Sequence, residues 1–187
     1  MSTASPTPSR RGVLALAGAG GLLALLGIRA CLPWGAEAVP PGLRHLSTGE
    51  ARLFMRVLPV FLPVEGTSLT PLDRIPLMQN LDQQVGRVPK NARALLRQAA
   101  LALDEGAIML GGRLTRAVNL SPPDLHAWLV QWSEGGALQR SAFGAVKQLV
   151  VLAYFGDPGA WAPLQYDGPV SGPRNIPRLG NRPLPEV

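Results

Sequence analysis

SPPDLHAWLVQWSEGGALQRSAFGAVKQLVVLAYFG, residues 121–156, is punctuated as two helices with a turn between them. Ser121 is an N-cap residue, whose hydroxyl can accept from a backbone N–H of the first turn. Pro122 fits the first helical position, where no donor is needed, and Asp124 suits the positive end of the helix dipole. Leu125, Trp128, Leu129 and Trp132 then recur at i, i+3, i+4 and i+7, so one face of this segment is apolar at the helical period. Gly135-Gly136 stops it. The second segment, Leu138 to Phe155, carries Phe143, Val146, Val150 and Tyr154 on one face with Leu149 and Leu152 beside it, and Gly156 supplies the C-terminal stop.

The same grammar extends upstream. Ser47-Thr48-Gly49-Glu50 is an S-x-x-E capping box, followed by Leu53, Phe54, Val57, Leu58 and Phe61 on one face, with Pro59 expected to bend or end the helix. Thr70-Pro71-Leu72-Asp73 reads as a second start, and its stripe is Leu72, Ile75, Met78, Leu81 and Val85. Pro89 and Asn91 precede a third helix with Leu95, Leu96, Ala99 and Leu103, fading into Gly111-Gly112. No stretch alternates like a strand for long. The expected fold is therefore all-α, a compact bundle of about five helices over residues 39–169. Residues 170–187, rich in Pro, Gly and Arg, cannot bury enough surface to fold alone and read as a tail, either loose or laid along a partner.

Residues 1–38 have a different character. Two arginines, Arg10 and Arg11, directly precede GVLALAGAGGLLALLGI, residues 12–28, which hold five glycines and no charge. Such a run is short for a spanning helix and suits the apolar core of an export signal behind a positive region. Ser9-Arg10-Arg11-Gly12-Val13-Leu14 closely resembles the twin-arginine export signature, with Ser9, Arg10, Arg11 and Leu14 as its matching residues. That resemblance implies export in the folded state by the twin-arginine translocase, to the periplasm. Three outcomes stay open: cleavage after Ala36-Glu37-Ala38, lipidation at Cys31 behind Ile28-Arg29-Ala30, or retention as an anchor at the inner membrane.

Composition excludes several classes of function. The chain has 18 basic and 12 acidic residues, but the positive charges are scattered singly rather than clustered with aromatics, so nucleic acid is not an expected partner. The single cysteine and two histidines make no metal or haem motif, and neither metal nor cofactor is expected in this chain. Asp104-Glu105 is the one adjacent acid pair; its spacing suits no acid–base couple, and it reads as a solvated turn. His126 reads as a surface residue, since Asp124 lies two positions away and points elsewhere on a helix, and His45 precedes the first cap. No nucleophile and base survive together, so the chain is not expected to be an enzyme.

YFGDPGAWAPLQYDGP, residues 154–169, follows the last helix. Asp157-Pro158 favours a turn, and Trp161 and Leu164 can fold back on the bundle, so the segment reads as a lid over one end of the core. An aromatic, rigid turn of this kind also serves as a partner contact, and the two roles are compatible. Tyr154, Asp157, Pro158, Trp161, Tyr166, Gly168 and Pro169 resemble the C-terminal signature of the gluconate 2-dehydrogenase subunit 3 family. The twin-arginine leader and the capped LSTGEARLFMRVLPVFLP opening are similar too, whereas Gln165-Tyr166-Asp167-Gly168-Pro169 departs from the family's Gly-Tyr-Pro-Gly-Pro. The resemblance implies a non-catalytic small subunit beside an FAD-dependent dehydrogenase of the glucose-methanol-choline type. FAD would lie in that partner, often with a multihaem cytochrome c as acceptor, and the small subunit would carry the export signal for both. The alternative is a stand-alone envelope lipoprotein or anchored helical interaction protein.

Overall fold

The computed structural model describes residues 37–110 and 115–169. Within them lie five α-helices: α1 (Thr48–Phe61), α2 (Leu77–Arg87), α3 (Lys90–Met109), α4 (Pro122–Glu134) and α5 (Ala137–Phe155). Single 3₁₀ turns connect or follow them at Leu72–Arg74, Ala117–Asn119, Pro158–Ala160 and Ala162–Leu164, and no strand occurs among the described residues. The architecture is all-α, as expected. Helix α5 is the hub and packs against each of the other four, while α1 also meets α2 and α3. None of the described helices is long and apolar enough to cross a membrane.

Capping chemistry sets the helix starts. Ser47 Oγ accepts from the Glu50 N–H at 3.3 Å while Glu50 Oε2 accepts from the Ser47 N–H at 2.7 Å, which completes the capping box of α1. Pro59 does not end this helix; it sits in the last turn, and the helix runs on to Phe61. A proline that near the end forfeits one backbone bond only, and Leu53, Phe54, Val57 and Leu58 already bury the opposite face. At α4 the Ser121 hydroxyl accepts from the Asp124 N–H, and at α5 the Gly136 N–H donates to Gln139 Oε1 at 2.9 Å.

Two expectations are corrected. The second helix does not begin at Thr70: Leu72–Arg74 form one 3₁₀ turn, Ile75 is extended (φ −117°, ψ 132°), and α2 starts at Leu77. Pro76 is the cause, because its ring disfavours the helical region for the residue before it. Ile75 is nevertheless buried with Met78, Leu81 and Val85, whereas Leu72 is half-buried. On α3 the buried line runs through Ala100, Leu103 and Ala107 with Leu96 and Ala99 at its margin, and Leu95 is 66% exposed. One residue is about 100° of rotation, which is enough to turn Leu95 off the stripe that Leu96 occupies.

The segment entering α1 is held by a carboxylate. Asp82 on α2 is buried and accepts from three successive backbone N–H groups, those of Arg44 (3.0 Å), His45 (2.7 Å) and Leu46 (2.8 Å). His45 seats its ring on Gly86 one turn further along; a Cβ there would come within 2.6 Å of it. Burial pushes the Asp82 carboxyl up, but the N–H groups of Arg44, Leu46 and His45, aided by the His45 charge, outweigh it and leave its pKa lowered. A lowered pKa means the unfolded chain binds the proton more tightly, so this stabilisation is complete above the ordinary value of 3.8 and is lost as pH falls through the folded one. Thermal melts from pH 7 to pH 2.5 should therefore show an acid-side loss that is shallower in Asp82→Asn. The same variant should cost about 2 kcal/mol at neutral pH, because donors are left facing an amide. An unchanged acid limb would show that the carboxylate does not hold the strap.

Candidate functional site

The lid is assembled at the C-terminal end of α5 by contacts far apart in the chain. Asp157 caps the 3₁₀ turn Pro158–Ala160, its Oδ1 accepting from the Gly159 N–H at 2.8 Å, while its Oδ2 accepts from Asn80 Nδ2 of α2 at 2.7 Å. Asn80 Nδ2 also reaches the Ala153 carbonyl at 3.1 Å, so one amide ties α2 to both α5 and the turn. Thr70 contributes from the other side: its Oγ1 donates to the Gly159 carbonyl at 2.8 Å, and its own carbonyl accepts from the Tyr154 hydroxyl at 2.7 Å. Ala160 is fully buried beneath.

Trp161 is half-buried against the core, its Nε1 donating to the Phe155 carbonyl at 2.8 Å. Tyr166 meets it edge to face with ring centroids 5.1 Å apart. The chain turns between them through Gln165 at φ 52°, then passes over the indole at Gly168. Gly168 has φ 98°, and a Cβ there would lie 2.8 Å from Trp161 Cζ3, so both backbone conformation and close approach require glycine.

The seven candidate contact residues thus divide. Tyr154 is fully buried, with burial pushing its hydroxyl's pKa up, and Gly168 is buried, so neither can touch a partner directly. Asp157 is half-buried and engaged in the turn. Pro158, Tyr166 and Pro169 are exposed beside the half-buried Trp161. Leu164 does not fold back on the bundle as expected; it is 46% exposed, next to Tyr166 at 47%. The structure adds Leu152 and Phe155, one turn apart on the last turns of α5, as exposed apolar neighbours. Their positions off the α5 core face could have been read from the helical period.

Other candidates lie elsewhere. The expectation for Asp104-Glu105 is overturned at Asp104, which is 4% exposed. Its Oδ2 accepts from Arg116 Nε at 2.9 Å and Nη2 at 2.6 Å, and its Oδ1 accepts from the Val118 N–H at 3.0 Å. Arg116 approaches Glu105 as well, at 3.5 Å. Asp104 is thus a structural carboxylate fixing the 3₁₀ turn Ala117–Asn119 to α3, because an arginine twelve residues away supplies the charge that spacing alone did not reveal. His126 is exposed at the start of α4, as expected. Between α1 and α3 lies a groove of about 310 Å³, lined by Gly49, Leu53, Ala100 and Leu101 with Glu50 and Arg97 paired at 3.5 Å on its rim. Among the described residues no three of His, Cys, Asp and Glu come together as a metal site would need.

Of the export residues, Ser9, Arg10, Arg11, Leu14, Cys31 and Ala36 lie outside the described residues; Ala38 is exposed. Next to it, Glu37 pairs with Arg56 at 3.5 Å and accepts from Arg52 Nε through its carbonyl. Compared with known proteins, the chain matches no family model, no curated protein and no solved structure.

Proposed function

We propose that the chain is a non-catalytic small subunit of a periplasmic FAD-dependent dehydrogenase of the glucose-methanol-choline type. In this reading it resembles the gluconate 2-dehydrogenase subunit 3 family, escorts a signal-less catalytic subunit through the twin-arginine pathway and aids its assembly. The observation that carries it is the exposed half of the lid. Trp161 and Tyr166 are fixed edge to face, Leu164 and Tyr166 are exposed on the lid, and Leu152 and Phe155 are exposed on the last turns of α5 that lead into it. Exposed aromatic and aliphatic side chains held on a rigid turn are the composition that concentrates binding energy in protein interfaces. Because Asp157, Asn80 and Gly168 hold the turn in place beforehand, little ordering remains to be done on association. The buried acids support a non-catalytic role from the other direction: Asp82 and Asp104 hold backbone N–H groups and an arginine in place. FAD, in this reading, belongs to the partner, with a cytochrome c subunit as the electron acceptor of the complex.

Replacing Arg10-Arg11 with Lys-Lys should leave both this chain and the flavoprotein in the cytoplasm on cell fractionation; unchanged export of the flavoprotein would remove the escort role. Combining Tyr166→Ala with Leu164→Asp, both at exposed positions, should leave the melting temperature within a few degrees. The same pair should weaken co-purification by about 2 kcal/mol, roughly thirtyfold in Kd. A complex of unchanged affinity would place the contact elsewhere. The second reading, a stand-alone lipoprotein, is favoured by Ile28-Arg29-Ala30-Cys31. Palmitate labelling lost in Cys31→Ala, together with purification as a lone monomer, would establish it.

A further inference from the structure

Between Asp82 and Asp104 the chain carries Arg87, Lys90, Arg93 and Arg97 and no acid. At 100° per residue Lys90, Arg93, Arg97 and Leu101 fall within about 80° of one another, so three cations and a leucine share one face of α3. The strap that enters α1 brings Arg44 beside them, because Arg97 Nη2 donates to the His45 carbonyl at 3.0 Å. Arg44, Lys90 and Arg97 are exposed, and Arg93 is half-buried, its Nη2 donating to the Gly86 and Val88 carbonyls at the end of α2. Among the described residues no ion pair involves Arg44, Lys90 or Arg93.

This row of cations runs into the groove between α1 and α3, whose walls are Gly49, Leu53, Ala100 and Leu101. The acids nearby are already engaged. Glu50 Oε2 accepts from the Ser47 N–H at 2.7 Å and from the Ser47 hydroxyl at 2.6 Å, while its Oε1 faces Arg97 at 3.5 Å. Asp104 holds Arg116 and the Val118 N–H, Glu105 approaches Arg116 at 3.5 Å, and Asp82 is buried against the N–H groups of the strap. The charge left over at this face is positive. Helix α3 carries no aromatic side chain, so it offers no stacking platform of the kind that single-stranded nucleic acid uses.

We propose that the groove and its row of cations form a docking surface for an acidic peptide segment of a partner protein. An apolar side chain of that segment sits between Leu53 and Leu101, and its carboxylates follow along Arg97, Arg93 and Lys90. Charge complementarity and length select this occupant. From Leu101 to Lys90 is roughly 16 Å along α3, with the three cations about 4.5 to 6 Å apart. A single anionic head group reaches one of them, whereas an extended peptide places alternate side chains about 6.6 Å apart and meets all three. None of these residues belongs to the lid, so the surface stands whether or not the lid is a contact.

The test uses the isotopically labelled full-length protein and an end-blocked peptide of two leucines followed by alternating glutamate and alanine. The peptide should shift the amide signals of Gly49, Leu53, Arg97 and Leu101, and a version with glutamine in place of glutamate should bind at least about tenfold more weakly. Lys90→Glu should weaken the acidic peptide about tenfold yet leave the melting temperature within a few degrees, since an acid suits the first turn of α3. Leu101→Ser, at the exposed edge of the groove, should weaken it roughly fivefold through lost apolar contact. Equal binding of the two peptides, an affinity unmoved by Lys90→Glu, shifts confined to residues away from α1 and α3, or no shift at millimolar peptide would each overturn the proposal. So would vesicles of phosphatidylglycerol in phosphatidylcholine that broaden these signals where the peptide leaves them unchanged, which would make the face a membrane contact.

Discussion

Asp104→Ala should lower the unfolding free energy by about 3 kcal/mol, because it leaves the buried Arg116 guanidinium with Glu105, at 3.5 Å, in place of its closer, twice-bonded carboxylate. Arg116 is 1% exposed and Asp104 4%, and the Val118 N–H depends on the same carboxylate. Urea unfolding followed by far-ultraviolet circular dichroism measures the loss. Removing both charges together, as Asp104→Leu with Arg116→Leu, should recover more than half of it, since a buried pair roughly breaks even against apolar side chains of similar size. The Val118 N–H would still lack its acceptor in the double variant, at a remaining cost of about 1 to 3 kcal/mol. Equal destabilisation by the single and double variants would mean that the carboxylate matters for the turn and not for the charge.

Trp128→Ala should cost a similar amount, about 3 to 5 kcal/mol, through a different cause, an unfilled cavity. Trp128 is 1% exposed, lies edge to face with Trp132 at 5.6 Å between centroids, and donates from Nε1 to the Leu103 carbonyl at 2.9 Å. Gly106 of α3 admits both rings: a Cβ there would sit 2.9 Å from Trp132 and 3.3 Å from Trp128. The two tryptophans differ in one respect, since the Trp132 Nε1 has no hydrogen-bond partner among the described residues. Trp128→Phe should therefore destabilise more than Trp132→Phe, by about 1 kcal/mol, the net worth of one buried hydrogen bond. Equal losses would show that ring volume alone decides the site.

Helix α4 shows how far local chemistry reaches. Its cap, proline, first-turn acid, apolar line and closing glycines lie within sixteen consecutive residues, and all five features act where they stand in the sequence. Pro59 and Pro76 mark the limit of the same approach. Both are prolines near helix ends, yet Pro59 is absorbed into the last turn of α1 and Pro76 delays α2 until Leu77. What separates them is position: Pro59 falls in a last turn whose residues are already helical, whereas Pro76 stands at a start and holds Ile75 extended before the first turn. The candidate site was half legible: Asp157-Pro158 and Gly168 announce turns, and Trp161 and Tyr166 stand out by type. That Tyr154 supports the turn from below depends on Thr70, 84 residues away from it in the chain.

The sequence by itself determined the number and type of the helices and most of their starts. Caps, prolines, glycines and the 3.6-residue period act over a few neighbouring residues, where the chain's own stereochemistry decides. Only the tertiary structure decided the fate of the charged groups and of the second faces. Asp82 is spent on N–H groups some 37 residues earlier, Asp104 on an arginine twelve residues later, and Asn80 on Asp157 at a separation of 77. Leu95 and Met109 of α3 are likewise left exposed because α1 and α5 pack on the face of that helix that carries Ala100, Leu103 and Ala107. A carboxylate's partner and a leucine's exposure are properties of what arrives beside them in space, and no local pattern encodes that arrival.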